Sequence, residues 1–149
     1  MRKLWAAGLC ALALTVPQAA PAQESGWTYA YTNGVATATE RDSGGRVTAT
    51  LTCRPPTGDI VITDYSLARA GRRANTASVR IGVMAVNVPA EVQGRGRERA
   101  LVINLPQRPP ILAAVQPNDQ LSVTVNGQTH TFRDGGPDKM KEVAYACWG

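Results

Sequence analysis

Histidine is almost missing from this chain, with one in 149 residues, and phenylalanine also occurs once. Three cysteines and 5% aromatics complete a thin stock of reactive and stacking side chains. These shortages exclude whole classes of chemistry. A zinc centre takes three or four His, Cys or carboxylate ligands at set spacing. His130 with scattered carboxylates does not supply them. No two cysteines stand as Cys-x-x-Cys, so there is no redox pair. No Gly-x-Ser-x-Gly prepares a nucleophilic serine. No cofactor is implied. Lys and Arg outnumber Asp and Glu by 16 to 11. That excess is too small and too interspersed with acid to make the footprint of a nucleic-acid binder.

Long apolar runs are missing as well, except at the start. Arg2 and Lys3 precede an apolar stretch over residues 4–16, and Ala20-Pro21-Ala22 follows with small residues where a signal peptidase reads. The pattern predicts an export signal over residues 1–22, cleaved after Ala22. The run is too short for a permanent anchor, which needs about 20 residues. Nothing later is long enough to cross a membrane. Cys10 lies within the apolar run behind Leu9, which does not suit a lipid-attachment site. Loss of Arg2 and Lys3 lowers the net charge from +5 to +3. Residues 23–149 then make one secreted domain.

Export leaves Cys53 and Cys147 in an oxidising compartment with one possible pairing. A bridge between them closes most of the mature chain into one loop. In the chain-entropy picture such a loop is worth at most about 4.5 kcal/mol.

Turn signals divide the mature chain into short strands. Asn33-Gly34 and Asn126-Gly127 suit two-residue turns with positive φ at both central positions. They predict hairpins joining 27–32 to 35–41 and 120–125 to 128–133. Strands follow at 46–53 and 59–65, parted by Pro55-Pro56-Thr57-Gly58. The 66–75 segment is Arg-rich and reads as a loop. The 77–88 segment reads as the longest strand, with Ala77, Val79, Ile81, Val83 and Ala85 on one side. Gln93-Gly94-Arg95-Gly96 turns into a strand at 98–105, and 109–115 suits one short helix. Gly136-Pro137-Asp138 opens a terminal helix whose Met140, Val143, Ala144 and Cys147 share a face. Cys53 lies on the apolar side of its strand, so the bridge would staple this helix to the sheet. The spacing predicts a mainly β fold: an antiparallel β-sandwich or open barrel with a C-terminal helix.

Four groups of residues carry the functional readings. The first hairpin's register sets Trp27, Tyr29 and Tyr31 on one face opposite small alanines. Such a stripe is a core face if covered and a stacking platform for sugar rings or peptide if exposed. His130 pairs with Val123 and shares a face with Leu121, Val125 and Phe132. It reads as a histidine at the rim of the core or as a general base, with Asp134 and Asp138 as companions. Arg69, Arg72 and Arg73 (with Arg80) form one basic group, and Arg95, Arg97 and Arg99 a second. If extended, the second group points one way. Both suit a solvated edge or a contact for an anionic polymer. Thr37, Thr39, Thr48, Thr50 and Thr52 line one flat face, as threonine often does on exposed strands.

The exported N-terminus, a first strand carrying Trp27, a strand ending in Cys53 before a Gly turn, and the segment Phe132, Gly136, Ala144, Cys147 form a layout. It resembles the small exported β-proteins of alphaproteobacteria of the invasion-associated locus B group. That resemblance implies a periplasmic accessory role and carries no catalytic residues across. The leading expectation is a periplasmic or secreted non-enzymatic binding or accessory protein of the bacterial cell envelope. Its partner would be an envelope polymer or a periplasmic protein. One alternative is an envelope-polymer hydrolase using His130 with a carboxylate. Another is a small secreted enzyme inhibitor, although a basic target such as lysozyme would repel a chain at this charge.

Overall fold

A computed structural model describes residues 26–53 and 58–148. The export signal, Cys10 and the Pro55-Pro56-Thr57 break lie outside the described residues. The described residues form one nine-stranded antiparallel sheet, curled into a half-barrel, with one C-terminal helix. The strands are β1 (Gly26–Thr32), β2 (Val35–Arg41), β3 (Val47–Cys53), β4 (Ile60–Asp64), β5 (Thr76–Ile81), β6 (Met84–Gln93), β7 (Ala100–Leu105), β8 (Leu121–Val125) and β9 (Gln128–Thr131). Helix α1 is Gly136–Trp148.

Both Asn-Gly hairpins form as their sequences demand. Asn33 and Gly34 take φ of 52° and 75°, and Asn126 and Gly127 take 47° and 77°. The first sets Tyr31 against Ala36, Tyr29 against Ala38 and Trp27 against Glu40. The second sets Val123 against His130. The alternation of β2, β3 and β4 buries one side of each strand: Ala36 and Ala38, Ala49 and Leu51, Ile60 and Ile62.

The segment at 77–88 corrects the expectation of one long strand. Ile81 pairs with Met84, so Gly82-Val83 is a two-residue turn. Gly82 has φ of +54°, and a Cβ there would sit 2.5 Å from Asp119 Oδ1. A positive φ at the first central residue alone is the type II′ pattern, which glycine supplies. The apolar alternation runs unbroken across this turn and conceals it. Val83 is therefore 92% exposed at the tip instead of facing the core, and Ala85 is exposed too. Two smaller differences accompany it. Residues 109–115 hold only a one-turn 3-10 helix, Pro110–Leu112, and the strand expected at 98–105 starts at Ala100.

The strand order is β1-β2-β3-β4-β7-β6-β5-β8-β9. The β5-β6-β7 meander thus enters the sheet reversed, with β7 beside β4 and β5 beside β8. Since all pairs are antiparallel, this order puts four connections at one end of the sheet. They are the 42–46 turn, the 65–75 loop, the 94–99 turn and the Asn126-Gly127 turn. A hydrogen bond ties two of them together, from Asn126 Nδ2 to the Ala70 carbonyl at 2.8 Å.

Helix α1 packs on β2 and β3 and touches β1. Its buried face is Met140, Val143, Ala144 and Cys147, at the spacing of one helical stripe. Cys147 bonds Cys53 at the end of β3, 94 residues away in sequence, and staples the helix to the sheet. Among the described residues no helix is long and apolar enough to cross a membrane.

Candidate functional site

The inward phase of three strands carries an ionisable residue where an apolar one is usual. Glu40 follows Ala36 and Ala38 on β2, Asp64 follows Ile60 and Ile62 on β4, and His130 lies opposite Val123 on β9. The curl of the sheet brings the three together. Asp64 is fully buried and Glu40 is 2% exposed, so each needs a full set of donors. Asp64 Oδ1 accepts from Ser66 N at 2.8 Å, Ser66 Oγ at 2.6 Å and Leu67 N at 3.0 Å. Its Oδ2 lies 2.7 Å from His130 Nδ1. Glu40 Oε1 accepts from Arg133 N at 2.6 Å. Glu40 Oε2 takes the Thr48 hydroxyl and lies 3.6 Å from His130 Nε2. The register of β2 and β3 shifts at Glu40/Arg41, a β-bulge beside Thr48.

His130 is 17% exposed between these carboxylates. Burial lowers its pKa. The hydrogen bond and charge of Asp64 and the charge of Glu40 outweigh burial and hold it above the ordinary 6.5. The two carboxylates thus favour the imidazolium more than solvent does. Asp134 and Asp138, expected as its companions, instead line a separate hollow near Gln116 and Asn118. They are close to His130 in sequence, but the β9 pleat turns His130 toward the sheet interior. Both ring nitrogens face carboxylates, and His130 lines none of the principal hollows among the described residues. The arrangement ties the last strand to β2 and β4. It also fixes the start of the 66–75 loop through Ser66 and Leu67. Among the described residues no group of three His, Cys, Asp or Glu side chains is arranged to hold a metal ion.

The aromatic stripe is graded along β1. Trp27 and Tyr29 are partly buried against the core, while Tyr31 is 57% exposed. Trp27 stacks obliquely on Phe132, with centroids 5.9 Å apart, and its Nε1 donates to the Arg133 carbonyl at 3.2 Å. Lys139 lies 6.0 Å above the Tyr29 ring. Trp27 thus closes the gap between the two edge strands, and within this stripe Tyr31 alone is exposed enough to stack on a ligand.

The arginines meet at the loop-rich end. Arg69, Arg72, Arg97 and Arg99 line one open hollow of about 580 Å³ together with Tyr65 and Gln128. Arg72, Arg73 and Arg99 line a second of about 490 Å³. Arg97 and Tyr65 reappear in a third of about 720 Å³ with Arg46. Shared walls join the three hollows into one basic face. The second arginine group is not extended: residues Gly96–Glu98 form a 3-10 turn, so Arg95 leaves the face that Arg97 and Arg99 share with the other loop. Among the described residues none of these guanidiniums has a carboxylate partner. Arg46 was missed by sequence reasoning, because only the strand order places its turn beside the arginine loops. Comparison with known proteins gives no match: no family model, no curated protein and no solved structure is similar to this chain.

Proposed function

We propose that this is an exported, non-enzymatic binding or accessory protein of the bacterial cell envelope, and that the basic face is its contact for an anionic polymer. The observation that supports the reading is the convergence of Arg69, Arg72, Arg97 and Arg99, without acidic partners among the described residues, around one open hollow. A planar guanidinium presents a rigid fork of donors that matches carboxylates and phosphates. Several on one open face suit repeated anionic groups better than a single enclosed ligand. Tyr65, exposed on the same rim, adds a ring for stacking. The disulfide and the resemblance to the invasion-associated locus B group belong to the same reading. The hydrolase alternative gains nothing from His130, whose nitrogens are both taken by carboxylates.

The test is co-sedimentation of the purified protein with peptidoglycan sacculi at low and high salt. Binding that weakens as salt rises, and that is lost when Arg69, Arg72, Arg97 and Arg99 become Gln, supports the reading. Absence of binding at low salt, or binding indifferent to the four substitutions, overturns it.

A further inference from the structure

The opposite end of the sheet holds a different kind of hollow. The 3-10 turn Pro110–Leu112 packs against the last turns of α1 and leaves a groove of about 230 Å³ between them. Its walls are apolar: Pro109, Pro110 and Leu112 on one side, Ala144, Tyr145 and Trp148 on the other. Two cations, Arg108 and Lys141, stand among the lining residues, and among the described residues no acid does. The geometry points to a binding site for a small amphipathic monocarboxylate, its chain in the groove and its carboxylate between Arg108 and Lys141.

Several features favour this occupant. Tyr145 is 73% exposed, a large apolar surface left open beside the groove. Arg108 takes a positive φ of 49°, a conformation that a side-chain-bearing residue adopts rarely and that often marks a ligand clamp. Lys141 spends one proton on a long hydrogen bond to the Val115 carbonyl at 3.4 Å and has two more to offer. Trp148, which lines the groove, has its Nε1 buried and, among the described residues, without an acceptor. Two prolines on one wall, and the Cys147 bridge next to Trp148 on the other, hold the groove open before any ligand arrives. An apolar hollow with a few placed polar groups is the usual form of a small-molecule site. This one lies just below the common range of about 300–1,000 Å³, which selects a short chain. The charge of the rim selects an acid over its neutral counterpart.

The experiment is titration of the purified protein with octanoate and with octanamide, followed by calorimetry and tryptophan fluorescence. Octanoate is expected to bind saturably at one site, with octanamide about tenfold weaker or more, the size of effect a charge-assisted hydrogen bond gives. The double variant Arg108→Gln, Lys141→Gln, with its fold checked by circular dichroism, should bring octanoate down to the level of octanamide. Tyr145→Ala should weaken both. Absence of saturable octanoate binding, equal affinity for the two ligands, or binding unchanged in the double variant overturns the proposal. Sedimentation velocity covers the remaining occupant: a dimer that Tyr145→Ala dissociates would assign the groove to a second copy and overturn it as well. None of these outcomes depends on the basic face at the other end.

Discussion

His130 Nδ1 stands 2.7 Å from Asp64 Oδ2, joining residues 66 positions apart in the chain. Folding gives this imidazole a carboxylate partner, and its pKa rises above 6.5. A raised pKa means the folded state holds the proton more tightly than the unfolded chain. The resulting stabilisation is complete below pH 6.5 and fades as pH climbs through the raised value. Urea unfolding from pH 6 to 9 should therefore show stability falling with pH in the native protein. In His130→Gln that slope should flatten.

Asp64 carries more than its partner does. Its removal takes the acceptor from the donors of Ser66, Leu67 and His130, of which the Leu67 amide is buried. Asp64→Ala should cost about 3–5 kcal/mol, as breaking one side of a buried charged pair does. Because Ser66 and Leu67 begin the 66–75 loop, the variant should also bind sacculi less well. Denaturant midpoints and co-sedimentation measured on the same sample check both.

The Cys53–Cys147 bridge anchors α1 to β3. Reduction, or Cys53→Ser with Cys147→Ser, should lower stability by about 2–5 kcal/mol. Thermal melts with and without reductant give the comparison. A shift confined to the wild type identifies the bridge as the source.

Gly94 shapes the turn that carries the second arginine group. Its φ is +79°, and an added Cβ would collide with the Glu98 carbonyl oxygen, a backbone atom with little room to move. Gly94→Ala should destabilise by about 1–3 kcal/mol. It should also displace Arg97 and Arg99, so polymer binding falls along with stability. By contrast, Arg97→Gln should weaken binding while stability stays within about 0.5 kcal/mol.

Local chemistry is easy to read in this sequence. The Asn-Gly pairs set both hairpin registers, so the Trp27–Glu40 and Val123–His130 pairings follow from residue order alone. The stripe Met140, Val143, Ala144, Cys147 marks the buried face of α1 in the same way. Gly82 escapes because apolar residues alternate straight through the turn it makes. The polar cluster is legible only in halves. Counting by two places Glu40, Asp64 and His130 on the inward faces of β2, β4 and β9, which is a signal in itself. Their meeting depends on the curl of a nine-stranded sheet, and no local pattern encodes that. The single basic face has the same origin. Arg69 and Arg97 meet because β5-β6-β7 enters the sheet reversed, a matter of strand order with no trace in spacing.

That reversed meander also bears on how fast the molecule can form. Strands β1 to β4 pair in succession through short connections, so this half assembles from local contacts. The free side of β4 then finds its neighbour in β7, about forty residues downstream by the pairing of Ile62 with Ile103. The side of β5 away from β6 likewise waits for β8, where Val79 meets Val123. Closing such loops costs chain entropy before any contact repays it. High contact order places refolding among the slow β-proteins, on the scale of about milliseconds to seconds. Until β7 docks, β4 offers a bare edge of Ile60 and Ile62 to any extended chain nearby, and that interval is when the protein is most exposed to aggregation.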